Sequence, residues 1–241
     1  MYYKYEMFMK KLILFLCFMF LPFVANADEI TENIDGIWYR IDIESLEAEV
    51  YHSLDGEPYK GEIVIPETIE YKGATFRVTK IGEQAFSQCV KLTAVTIPNN
   101  VTTIEESAFT GCLKLASINL GEGLTSIGMW AFRYCKGLVS ISLPASVTTI
   151  GDEAFYRSGL ESLTIPDGVT VIGNHVFHDC TSLKSVTIGD GLTEIGNWAF
   201  QGCTSLNSLT FGTGLKVIGE SAFQNCSSLT TLSIPSNAST I

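Results

Sequence analysis

The sequence has 241 residues, of which 46% are hydrophobic and 17% charged, so one large domain or two small ones with a substantial core is within reach. There are 15 Lys and Arg against 26 Asp and Glu, a formal net charge of −11. That balance argues against a nucleic-acid binder, which tracks phosphates with a basic face, and against docking on anionic lipid.

The chain opens on a targeting segment. Lys10 and Lys11 form a positive n-region, Leu12 to Val24 is an apolar run broken by Pro22, and Ala25-Asn26-Ala27 gives the small-x-small pattern of signal peptidase. The run is shorter than the roughly 20 residues of a membrane span. Residues 1–27 are therefore expected to be a signal peptide, and the chain to be secreted or held at the cell surface, with no membrane insertion after cleavage. Cleavage after Ala27 removes three Lys and one Glu and takes the net charge from −11 to −13. Cys17 lacks the Gly, Ala or Ser that a lipobox wants before it, because Leu16 stands there, and it reads as an ordinary apolar residue of the leader.

Residues 28–79 carry strand signals without a repeat. Ile37 to Ile43 alternates as a half-buried strand does, Ala48 to His52 follows, and Ile63-Val64-Ile65-Pro66 and Thr75 to Thr79 precede Ile81-Gly82.

From residue 80 a repeat takes over. Phe86, Phe109, Phe132, Phe155, Phe177, Phe200 and Phe223 are spaced 23, 23, 23, 22, 23 and 23 apart. An Ile lies five residues before each, and a Leu six residues after each, except in the fourth unit, where the gap to Leu160 is five. Each unit reads as an L-x-x-φ-x-φ strand, such as Leu92 to Ile97, then a short second β-like stretch, then a polar pair, Ala-Phe and Cys expected to form one or two helical turns. So short a helix is not stable alone. A 23-residue unit cannot bury its own apolar side, whereas stacked units can, giving a solenoid of about seven coils over residues 80–241.

Leu138-Val139-Ser140-Ile141-Ser142-Leu143-Pro144-Ala145-Ser146-Val147-Thr148-Thr149-Ile150-Gly151-Asp152-Glu153-Ala154-Phe155 resembles, nearly position for position, the BspA-type leucine-rich repeat of bacterial surface proteins. The resemblance implies an α/β solenoid of short parallel strands and short helical turns. It also implies surface-exposed adhesion or host-interaction relatives. Residues 28–79 then read as the β-rich N-terminal cap that shields the first core layer, with Trp38 as cap core. At the other end the chain stops at Ile241, the equivalent of Ile218, midway through a unit. A truncation, self-association through an uncapped end and a sufficient half-coil all remain open.

Cys89, Cys112, Cys135, Cys180, Cys203 and Cys226 share one repeat position, with Ser158 nearest that slot in the short unit. Side chains stacked in parallel do not offer the facing Cβ atoms, about 3.8 Å apart, that a disulfide needs. The expectation is a column of buried thiols. Zinc is disfavoured, since there is no C-x-x-C and a straight ladder is not tetrahedral. His175 and His178 lie three apart, as on one helical face, but no third ligand has a motif spacing. With no G-x-S-x-G, P-loop or H-E-x-x-H either, the sequence points to a binding protein rather than an enzyme, with no cofactor and no metal.

The residues that differ between units are then the informative ones. The outward strand positions form a Ser/Thr lawn, Ser140, Ser162 and Thr187 among them. The slot before Ala-Phe reads Gln84, Ser107, Trp130, Glu153, His175, Trp198 and Ser221, and its tolerance of small polar residues suggests an exposed position. The slots after Phe add Arg133-Tyr134, Tyr156-Arg157 and His178. Trp130, Arg133, Tyr134, Tyr156, Arg157, His175, His178 and Trp198 are therefore the candidate binding residues, a cluster on the helical side of repeats three to six. Trp, Tyr and Arg are enriched at binding hot spots, and aromatic faces also suit sugars. The expected partner is an extracellular protein or, as the alternative, a glycan.

Overall fold

The computed structural model describes residues 29–236 and 238–240. The expected signal peptide, Cys17 and Ile241 lie outside the described residues. The chain begins with β1 (Glu29–Ile34), β2 (Ile37–Asp42) and β3 (Glu47–Val50), an antiparallel meander, followed by β4 (Lys60–Val64), β5 (Thr68–Tyr71) and β6 (Ala74–Ile81). Along β2 the alternation of Ile37, Tyr39 and Ile41 with polar residues puts those three in the core and leaves Trp38 partly buried against it.

The repeats supply two strands per coil where the sequence allows them. In chain order these are β7 (Lys91–Thr96), β8 (Thr103–Ile104), β9 (Ser117–Asn119), β10 (Ser126–Ile127), β11 (Thr149–Ile150), β12 (Ser162–Ile165), β13 (Val171–Ile172), β14 (Ser185–Ile188), β15 (Glu194–Ile195), β16 (Ser208–Thr210) and β17 (Val217–Ile218). Each pairs in parallel with the equivalent strand of at least one adjacent coil, in one-repeat register, as in Leu163↔Val186 and Val186↔Leu209. The sheets break beside the shortened fourth unit. There the third coil contributes only a bridge, Ser140↔Ser162, to the longer strand row.

The N-terminal strands are continuous with these sheets. β4 pairs with β7 and β6 with β8, both in parallel, so β6 runs across the expected boundary at residue 79. Leu, Ile and Phe of successive coils fill one core, and the Phe rings from Phe86 to Phe223 stack at centroid distances of 5.0–5.6 Å.

The expected helical turns are absent: among the described residues there is no helix. The polar pair, Ala-Phe and Cys form consecutive tight turns instead. In the second coil Ala108, Thr110 and Cys112 donate their N–H to the carbonyls of Glu105, Ser107 and Phe109, three residues back, while Ser107, Phe109 and Gly111 donate to Met129, Ala131 and Arg133 of the next coil. A helix cannot lend alternate N–H groups to a neighbour in this way. The backbone achieves it by turning left-handed twice per coil. The slot before Ala-Phe has φ of 54–59° in all seven coils, and the second slot after Phe has φ of 53–75°. Left-handed conformation costs a non-glycine residue about 1–2 kcal/mol, which the bonds to the next coil offset.

Each thiol of the cysteine column is buried and free. Cys112, Cys135, Cys180, Cys203 and Cys226 donate to the carbonyl of the Phe in the preceding coil at 2.9–3.1 Å. Ser158 takes the slot in the fourth coil, with its hydroxyl 3.3 Å from Cys180 Sγ. The column thus satisfies carbonyls as well as filling space. Burial pushes the thiols up, Cys135 to about 12 and Cys180 and Cys226 to about 11.

Candidate binding surface

The eight candidate residues lie on the turn side of the coils, which replaces the expected helical side. Trp130, His175 and Trp198 occupy the first left-handed slot, and Tyr134 and Arg157 the second. In this geometry side chains of adjacent coils stack along the solenoid axis at about the strand spacing of 4.8 Å.

All eight join in one cluster. The Arg133 guanidinium sits 5.7 Å from the Trp130 ring and 4.9 Å from each of the Tyr134 and Tyr156 rings, which meet edge to face at 5.6 Å. Tyr156 continues to His178 at 5.1 Å, His178 to His175 at 5.1 Å, and His175 stacks on Trp198 at 4.9 Å with 13° between the planes. Arg157 covers the outer side of Tyr156 at 5.1 Å. Such cation–ring contacts contribute about 0.5–1 kcal/mol each where exposed.

The histidines meet through a turn and not along a helix: His178 donates its N–H to the His175 carbonyl, and the two Nδ1 atoms lie 3.0 Å apart. At that separation one ring must be protonated on Nδ1 and the other bare. Burial holds the His178 imidazole below its ordinary value, with the positive charge of Arg157 and the His175 ring acting the same way and Asp179 and Glu153 opposing.

The acids beside the strip stand in slots that the sequence shows but that carry no aromatic signal. Asp179 accepts two hydrogen bonds from Arg157, at 3.0 Å and 2.8 Å, and keeps that guanidinium protonated. Glu153 lies 3.6 Å from Arg133 Nε. That nitrogen and Trp130 Nε1 are shielded from solvent without a hydrogen-bond partner. An unsatisfied buried donor costs about 1–3 kcal/mol, which the ring contacts of Arg133 offset in part.

One expectation needs correcting. Trp130 and Trp198 are half-buried, not open; their rings lie down on Arg133 and His175, and of the eight only Arg157 is exposed. The strip presents ring edges and one guanidinium. On the strand side Ser140, Ser162, Thr187 and Thr210 are exposed, while Thr93, Thr96 and Ser185 are half-buried. Among the described residues no three His, Cys, Asp or Glu come together in a way that could hold a metal ion, and no helix is long and apolar enough to cross a membrane.

Comparison with known proteins agrees with the coil geometry. The BspA type leucine rich repeat region matches in six copies over residues 68–184 and 148–241. A leucine-rich repeat protein from Bacteroides ovatus is 32% identical over 90% of this chain, with a TM-score of 0.73. This chain spans 54% of that protein. The Treponema pallidum leucine-rich repeat protein (T. pallidum, TpLRR) is 30% identical over 83% of this chain and 91% of its own, with a TM-score of 0.72. No curated protein matches the sequence. No catalytic family is among the matches. The fold is a leucine-rich-repeat solenoid, and the chain belongs to the BspA-type leucine-rich-repeat family.

Proposed function

We propose that the protein is an exported, non-enzymatic binding module of the adhesion type, which contacts an extracellular protein through the strip from Trp130 to Trp198. One observation carries this reading. Across four consecutive coils, slots that hold small polar residues elsewhere hold eight rings and cations in mutual contact. A pre-stacked cluster of Trp, Tyr and Arg loses little side-chain freedom on binding, which favours hot-spot energetics. The leader-like residues 1–27 and the surface association implied by the family support an extracellular setting.

The stacked rings also favour a second reading, a glycan-binding module. Pull-down against extracellular matrix proteins beside a glycan array separates the two. The protein reading expects a captured protein that Trp130→Ala/Trp198→Ala releases, with melting temperature retained. Capture unchanged by that variant overturns it, and array binding lost in the variant favours the glycan.

A further inference from the structure

A second surface lies outside the ring strip, and we propose that it docks an acidic, aliphatic-bearing peptide segment of a protein partner. Lys60, Lys91, Lys114 and Lys136 are all exposed. Lys60 and Lys91 are direct register partners in the pairing of β4 with β7. Lys114 holds the same repeat position as Lys91, one coil on, since Ala94 pairs with Ser117. In the third coil Gly137 takes that position, with an added Cβ 3.1 Å from the Lys114 carbonyl carbon, and Lys136 stands one residue earlier, in the slot of Val90 and Leu113. Three lysines therefore stand in register up the coils at about the strand spacing of 4.8 Å, with Lys136 offset by one residue at the next step.

Their lack of counter-charge is the telling feature. Five other cations of this chain find acids: Arg40 with Glu49, Lys80 with Glu105, Arg133 with Glu153, Arg157 with Asp179 and Lys184 with Glu161. Among the described residues Lys60, Lys91, Lys114 and Lys136 have no ion-pair partner, and neither do Arg77 and Lys216, which stand apart from one another. The charge is also segregated along the chain. Residues 80–139 carry five cations and four acids, whereas residues 29–79 carry four against 12 and residues 140–241 three against eight. Lys91, Lys114 and Lys136 thus lie in the one stretch where cations outnumber acids, and Lys60 extends the row into the acidic N-terminal segment beside Glu62; such a local excess steers an acidic partner to one place.

Aliphatic side chains decide the class of partner. Val90 and Leu113 precede Lys91 and Lys114 and are 39% and 44% exposed, and Val139, three residues after Lys136 at a different repeat position, is 48% exposed. Repeated exposure of large aliphatics beside an unpaired lysine column fits a peptide that carries both carboxylates and apolar side chains. A sulfated glycan has charges for the lysines but nothing to bury against Val90 and Leu113.

The test uses a fluorescein-labelled alternating Glu-Leu peptide, with heparin as the sulfated-glycan probe, on the whole chain. The peptide is expected to bind with a strong salt dependence. Lys91→Glu/Lys114→Glu is expected to weaken it on the order of tenfold, and Leu113→Ser several-fold, while Lys216→Glu, a charge control in the last coil, leaves it unchanged. Lys91→Gln/Lys114→Gln serves if the reversed charges disturb folding. No peptide binding, an equal loss in Lys216→Glu, or heparin binding indifferent to Leu113→Ser and tighter than the peptide overturns the proposal. Lys91, Lys114 and Leu113 belong to no coil of the ring strip, so Trp130→Ala/Trp198→Ala is expected to leave peptide binding intact.

Discussion

The Tyr59 ring lies 4.9 Å from Phe86 and closes the phenylalanine column at its N-terminal end. Its hydroxyl accepts the Trp38 N–H at 2.9 Å and donates to the Tyr51 carbonyl at 2.9 Å, so the same residue ties the antiparallel meander to the first coil. Each coil depends on its neighbours for burial. Phe132→Ala is expected to cost on the order of 3–5 kcal/mol in urea unfolding and to raise amide exchange in the second and fourth coils as well as its own. Tyr59→Phe keeps the ring and is expected to cost about 1 kcal/mol through the lost hydroxyl. Exchange confined to one coil would speak against a continuous column.

The left-handed slots separate turns from helix by a simple substitution. Ser107 has φ of 56°. Ser107→Gly relieves that conformation and is expected to leave stability unchanged or raise it by up to about 1 kcal/mol, whereas a helix would lose about 1 kcal/mol. Gly191 answers a different need, since an added Cβ would lie 1.8 Å from the Asp167 carbonyl oxygen of the preceding coil. Gly191→Ala is expected to cost about 1–3 kcal/mol by overpacking. Thermal melts of the two variants should therefore move apart.

The cysteine column is expected to be silent to thiol reagents at neutral pH while folded. Thiolate is the reactive form, and burial pushes the column thiols up and away from it. Labelling should follow global unfolding, with oxidised and reduced samples melting alike. Rapid labelling of native protein at Cys135 or Cys180 would contradict the burial of the column.

Acid should loosen the strip. The folded His178 lies below its ordinary value, so the unfolded chain binds the proton first. Stability from this group is full above about pH 6.5 and falls as pH drops through the unfolded value toward the lower folded one. A second proton on the pair also sets two N–H groups against each other across the 3.0 Å gap between the Nδ1 atoms. Melting temperature should fall more steeply from about pH 7 to about pH 5 in the wild type than in His178→Gln. Equal slopes would remove the histidine pair from the account.

The repeat was readable because Phe, Ile and Leu recur at fixed offsets that only stacking explains, and the cysteine position followed from the same register. The turns were not, because a polar pair before Ala-Phe has the composition of a helical turn. The available signal was Gly111 and Gly202 in a slot that holds Tyr134 and Arg157 elsewhere, a hint of φ above zero. The slot contents also named the eight strip residues, but not their contacts. A tolerant slot suggested open tryptophans, whereas a large ring in a left-handed slot lies down on the next coil, as Trp198 does on His175.

Hydroxyl-radical footprinting of the protein with its captured partner reads the contact residue by residue. If the ring strip is the contact, oxidation of Trp198, Tyr156 and Tyr134 falls on complex formation while Ile234, exposed in the last coil, is unaffected. Undiminished oxidation of those three rings, with protection on the strand face around Val139 or Val171 instead, would contradict it.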